Sequence, residues 1–228
     1  MLGHPFKTTL PFILISMVLY LILLPMIQFP STTFFKAIPI ALLMLFTLQV
    51  NCKRPVKVLL LFALGFSLIG DILLTFPVKM ALQMGILAFM ATHCCYISLF
   101  LKNMQFRKQN VLSFLPVLAF VLISFYFLSP FLGEMKTPVA VYLCLLTLMV
   151  FFAFQVKKPA FLTRLGACLF LLSDFVLSIN LFVLLNNKPM AVLVMFLYYL
   201  AQFLLVISIT QTKTMVFFKI HNLFHGHK

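Results

Sequence analysis

Charge of one sign is almost missing from this chain. Its 228 residues include three acidic side chains against 17 Lys and Arg, and charged residues of both signs make up only 9%. A soluble domain carries about 25%, so this chain has too little charge to cover a water-facing surface. Cysteine is also scarce. Cys52, Cys94, Cys95, Cys144 and Cys168 are odd in number, form no C-x-x-C pair and mostly lie within apolar stretches. That excludes a disulfide framework or zinc ribbon, and the five read as small buried apolar residues. There is no G-x-S-x-G elbow, H-E-x-x-H helix, phosphate-binding Gly loop or evident Cys nucleophile. An enzyme built on this chain has to run on carboxyl groups, with no metal and no cofactor expected. His221, His225 and His227 read as part of a basic chain end rather than a metal site.

What is present is hydrophobic length. Apolar residues make up 64% of the chain, with a mean hydropathy of +1.18. Stretches long enough to cross a bilayer recur at roughly 10–28, 34–50, 57–76, 80–101, 111–129, 138–156, 161–185 and 190–210. The expected fold is all-α: one integral membrane domain over 1–228, with eight transmembrane helices. The first stretch is long for a signal-peptide core, and no small-residue cleavage site follows Gln28, so it counts as a helix.

A formal charge of +14 could suggest a nucleic-acid partner, but its distribution argues against one. Lys7; Lys53, Arg54 and Lys57; Lys102, Arg107 and Lys108; Lys157, Lys158 and Arg164; and Lys213, Lys219 and Lys228 all fall on one side of the alternating topology. Only Lys36, Lys79, Lys136 and Lys188 fall on the other. The positive-inside rule then places both termini in the cytoplasm, which an even number of spans satisfies.

Two of the three acids lie inside apolar stretches, as Gly70-Asp71-Ile-Leu-Leu-Thr75 and Ser173-Asp174-Phe-Val-Leu-Ser178. A central membrane Asp costs about 2.5–3.5 kcal/mol on insertion scales. Interhelical hydrogen bonds return only about 0.6–2 kcal/mol, so a purely structural role accounts poorly for a duplicated pair. The aspartates are 103 positions apart, as are Tyr96 and Tyr199, and Lys53-Arg54-Pro55 recurs as Lys157-Lys158-Pro159 at an offset of 104. This spacing predicts two parallel four-helix repeats, approximately 30–105 and 135–210. Both aspartates then lie toward the non-cytoplasmic half of the bilayer.

Helical spacing puts Ser67, Asp71 and Thr75 on one stripe, and Asp174 and Ser178 on another. His93 and Tyr96 on the fourth span, and Tyr198, Tyr199 and Gln202 on the eighth, are further polar groups at membrane depth. With the aspartates as catalytic candidates, these residues and Lys36 are candidate substrate contacts. Lys36 reads either as a snorkelling side chain or as a contact for a lipid phosphate. Duplicated halves with matched acids also suit a proton-coupled transporter of small solutes or lipids.

The Gly70-Asp71 helix, the Gly85…His93…Tyr96 helix, Val141-Tyr142…Met149, Ser173-Asp174 and Tyr198-Tyr199-Leu200-Ala201-Gln202 together resemble the YhhN family. Its animal members are lysoplasmalogenases. The resemblance runs from the second helix onward, with one departure: a family Lys-Pro pair is split here as Lys36-Ala37-Ile38-Pro39. It implies hydrolysis of the vinyl ether bond of a lysophospholipid drawn from the membrane. The products are a fatty aldehyde and glycerophosphocholine or glycerophosphoethanolamine. That chemistry needs one carboxylic acid to protonate carbon and one carboxylate to stabilise the cation or activate water. The sequence does not divide these roles between Asp71 and Asp174, and it leaves the oligomeric state open.

Overall fold

The computed structural model describes residues 4–157 and 160–210, so the histidines of the tail lie outside the described residues. The described chain is all-helical. Eight helices follow one another: α1 (His4–Leu23), α2 (Ser31–Gln49), α3 (Arg54–Leu73), α4 (Lys79–Leu101), α5 (Lys108–Leu128), α6 (Lys136–Phe154), α7 (Ala160–Phe182) and α8 (Lys188–Ile209). The last seven are long and apolar enough to cross a membrane, which makes this a multi-pass membrane protein. The apolar part of α1 is shorter, Thr9–Leu23.

Local chemistry sets the boundaries. α1 stops ahead of Pro25 and α3 ahead of Pro77, because the residue before proline disfavours helical backbone. Pro55 and Pro189 sit in the first turns of α3 and α8, where the missing N–H is no loss. Asn187 caps α8 by accepting from the Met190 N–H at 3.1 Å. The expected 57–76 span therefore ends early. Thr75 falls in the turn after α3 rather than on the stripe with Ser67 and Asp71.

α3 lies along α4 and α7 along α8 in the most extensive interfaces. α2 packs on α3, α4 on α6, and α1 on α2 and α8. The span of α8 is 56% buried, against 17% for the one that begins with α5, so α8 is the central helix and α5 a peripheral one. Large apolar side chains such as Phe12, Leu112, Phe127 and Phe161 point outward, the arrangement that lipid rather than water favours. The cysteines follow the same logic. Cys94 and Cys144 are exposed and the other three half-buried, so they do not fill the core as expected. A lipid-facing helix surface is apolar enough to hold a thiol without enclosing it.

The loops gather at two ends. At one, Met104 pairs with Val156 and Lys157 N–H donates to the Asn103 carbonyl at 2.9 Å. At the other, Thr33 and Thr75 share a 2.7 Å hydrogen bond, and Lys188 donates to the Pro25 carbonyl at 2.9 Å.

Small residues let α3 and α4 approach closely. A Cβ added at Gly70 would stand 2.7 Å from the Phe89 ring, whereas one at Gly65 would meet only Met44 Cε at 3.9 Å. Overpacking a fitted core costs about 1–3 kcal/mol. Thermal unfolding in detergent should accordingly show Gly70→Ala clearly destabilised and Gly65→Ala close to wild type. Equal transitions for the two would refute the close α3–α4 contact.

Candidate active site

Asp71 and Asp174 line one cavity of about 600 Å³. Its wall takes Tyr20 from α1, Lys36 from α2, Phe89 from α4 and Tyr198 from α8. It extends to Phe76, Pro77 and Asn186 in the turns after α3 and α7, so it opens at that end of the bundle.

The two carboxyls have different partners. Asp71 is 2% exposed. Its Oδ1 lies 3.1 Å from the Lys36 ammonium, and its Oδ2 accepts from the Tyr198 hydroxyl at 2.7 Å. Behind Tyr198 stands a further polar layer. Ser67 Oγ is 2.6 Å from the Tyr198 hydroxyl and accepts from Gln202 Nε2 at 2.6 Å, and Tyr96 donates to Gln202 Oε1. Tyr199 donates to the Lys36 carbonyl at 2.9 Å and so fixes α2 against α8. Lys36 is buried and paired, so the snorkelling geometry expected for it does not occur. Beside it, a buried carboxylate offers a stronger partner than the interface does.

Asp174 is half-buried, and none of the described cations forms an ion pair with it. Its Oδ2 accepts from the Tyr142 hydroxyl, and Ser173 donates to Oδ1 at 3.3 Å. Behind Tyr142, His93 Nε2 lies 3.0 Å from the same hydroxyl. With a single hydroxyl hydrogen given to Asp174, Tyr142 takes its second bond from His93 Nε2–H. When the carboxyl itself donates to Tyr142, the hydroxyl is free to donate to His93 instead. The second arrangement requires the other His93 tautomer, with Nε2 free to accept and the hydrogen on Nδ1. His93 Nδ1 is buried with no hydrogen-bond partner.

An aromatic cluster joins the two halves of the site. Phe170 stands edge-on to His93 at 5.0 Å and to Tyr198 at 5.6 Å, and Phe89 lies 6.0 Å from Tyr198.

Of the sequence candidates, Asp71, Asp174, Lys36, Thr75 and Tyr198 reach the cavity wall. His93, Tyr96, Tyr199 and Gln202 do not line it and instead support residues that do or their helices. Ser178 turns back to the Asp174 carbonyl at 2.9 Å and borders a narrow apolar crevice between α5, α6 and α7. Thr75 donates to the Ile72 carbonyl at 2.7 Å. Sequence reasoning gave no site role to Tyr142 or Tyr20. Tyr142 had one available signal, as the lone tyrosine of its span.

Breaking a buried ion pair from one side costs about 3–5 kcal/mol, because the other charge is left uncompensated. Lys36→Met should lower the unfolding midpoint in detergent strongly, and adding Asp71→Asn to it should restore most of the loss. A double variant no more stable than Lys36→Met would contradict the pairing.

Lysoplasmalogenases of Mycobacterium bovis and Mycobacterium tuberculosis are each 32% identical to the chain over 152 residues, which is 63% of this chain. The match spans 57% of the length of each relative. No solved structure matches. Residues 31–209 match the YhhN family along α2 to α8, the helices that carry both aspartates and every partner described for them, and the chain belongs to that family.

Proposed function

We propose that this protein is a membrane hydrolase that cleaves the vinyl ether bond of lysoplasmalogens, releasing a fatty aldehyde and a glycerophospho-alcohol. The observation that carries the reading is the opening of two unequally partnered carboxyls onto one cavity. The name of the mycobacterial relatives supports the substrate class.

The unequal partners suggest a division of labour. Asp174, without a cation, is the acid that delivers a proton to the β-carbon of the vinyl ether. The adjacent ether oxygen then shares the positive charge of an oxocarbenium ion. Asp71, held as a carboxylate by Lys36 and Tyr198, faces that cation and orients the water that adds to it. The resulting hemiacetal breaks its bond to the glycerol oxygen. A proton passes to that oxygen, and the aldehyde and the alcohol leave. One water is consumed, and Asp174 recovers the proton it gave. Tyr142, backed by His93, donates to the Asp174 carboxylate left after proton transfer and fixes where that carboxyl points.

We read the fold as eight spans in two parallel four-helix repeats, with both termini cytoplasmic. The contact pattern supports the repeat. α3–α4 and α7–α8 are the dominant pairs, and α4 meets α6 as α8 meets α2. α2 gives Lys36 to the first Asp and α6 gives Tyr142 to the second. α1 contributes Tyr20 to the cavity wall, which suits an eighth span.

Purified protein in detergent, given lysoplasmalogen, should release aldehyde. Asp174→Asn should abolish release while keeping a wild-type elution profile. Asp71→Asn should abolish it with a lowered unfolding midpoint, because Lys36 is left unpaired. Tyr142→Phe should retain roughly a tenth to a hundredth of the rate. Full activity in either Asp variant would refute the assignment, and a lipid carrier would yield no aldehyde at all.

A further inference from the structure

The third acidic residue of the chain, Glu134, pairs with a residue of this cavity's wall. Glu134 accepts a hydrogen bond from Lys79, and Lys79 lines the cavity mouth. All three acids of a chain with formal charge +14 thus lie at one site or on a residue that lines it.

The loop that carries Glu134 is built rather than loose. Two short helical turns, Ser129–Phe131 and Gly133–Met135, connect α5 to α6, and Gly133 takes a φ of +49° that suits glycine. Leu128, Leu132, Met135 and Val139 form a small core of their own, against Leu82 of α4 and Phe182 of α7. Leu82 and Phe182 are themselves cavity-wall residues. The loop is therefore packed on the outer face of the cavity wall, with Glu134 beside its mouth.

Both side chains of the pair are mostly exposed, at 60% for Lys79 and 81% for Glu134. Exposed pairs of this kind contribute little net stability, so exchanging partners costs little. A zwitterionic headgroup offers the matching exchange, with its phosphate on the lysine and its ammonium on the glutamate.

We propose that Lys79 and Glu134 form a headgroup clamp that selects zwitterionic lysophospholipids over anionic ones. The assignment rests on the lysoplasmalogenase reading and names what fixes its headgroup class. Lys79 attracts the phosphate of either lipid. Glu134 attracts an ammonium where there is one, and repels a bare phosphate where there is none. With the headgroup held at the mouth, the alkenyl chain enters toward Asp71 and Asp174.

Binding of saturated alkyl-ether analogues tests the clamp without any cleavage. The probes are alkyl lysophosphocholine and alkyl glycerol phosphate, titrated against detergent-purified full-length protein by calorimetry. Glu134→Gln should weaken the phosphocholine lipid about threefold and tighten the phosphate lipid about threefold, a change of about tenfold in their ratio. Lys79→Gln should weaken both. Glu134→Asp should restore the wild-type preference. An unchanged ratio in Glu134→Gln, whether both affinities move together or neither moves, would overturn the proposal. Charge-selective binding in a protein that releases no aldehyde from lysoplasmalogen would keep the clamp and remove the reaction instead.

Discussion

The buried ion pair between Lys36 and Asp71 is the constraint around which the bundle is organised. It joins α2 to α3 at a point where both side chains are almost wholly buried. α8 completes it from the third side, with Tyr198 on the carboxylate and Tyr199 on the Lys36 carbonyl. Three helices are thereby set in register by polar contacts inside an otherwise apolar body. Hydrophobic packing alone cannot do this in a membrane, where lipid is as apolar as leucine. A bonded charge pair has one satisfied geometry, and misregister leaves it unsatisfied.

That register produces the cavity. Gly70, one residue before Asp71, lets the Phe89 ring lie close against α3, and Phe89 in turn stands edge-on to Tyr198. Phe170 continues the aromatic floor to His93, and so to Tyr142 and Asp174. The two carboxyls are thus connected through rings rather than through a continuous hydrogen-bond chain. Each keeps its own electrostatic surroundings while opening onto the same space. Separate surroundings are what an acid and a base need when both are aspartates.

Much of this was legible in the sequence. The spans follow from hydropathy because every backbone polar group in a bilayer must bond within its own helix. Asp71 and Asp174 stood out because charge at that depth is costly, and the charge asymmetry of the loops matches the two ends at which those loops gather. The partners were harder to read. Helical periodicity says which residues share a face but not what that face meets, so Lys36 passed for an interfacial lysine and Tyr142 received no role. The split of the Lys-Pro pattern by Ala37 and Ile38 leaves the Lys36 ammonium within reach of Asp71. Thr75 and Ser178 show what spacing leaves out. Thr75 reaches the cavity wall from the turn after α3, with its hydroxyl on the Ile72 carbonyl, and the Ser178 hydroxyl is taken up by the Asp174 carbonyl.

The central claim is that protonation of carbon by a carboxyl group of this cavity opens the vinyl ether, and deuterium reports that step directly. Lysoplasmalogen turned over in heavy water by the purified protein should give a fatty aldehyde with one deuterium on the carbon next to the carbonyl, analysed by mass spectrometry before exchange. Aldehyde released without deuterium at that carbon would contradict the account.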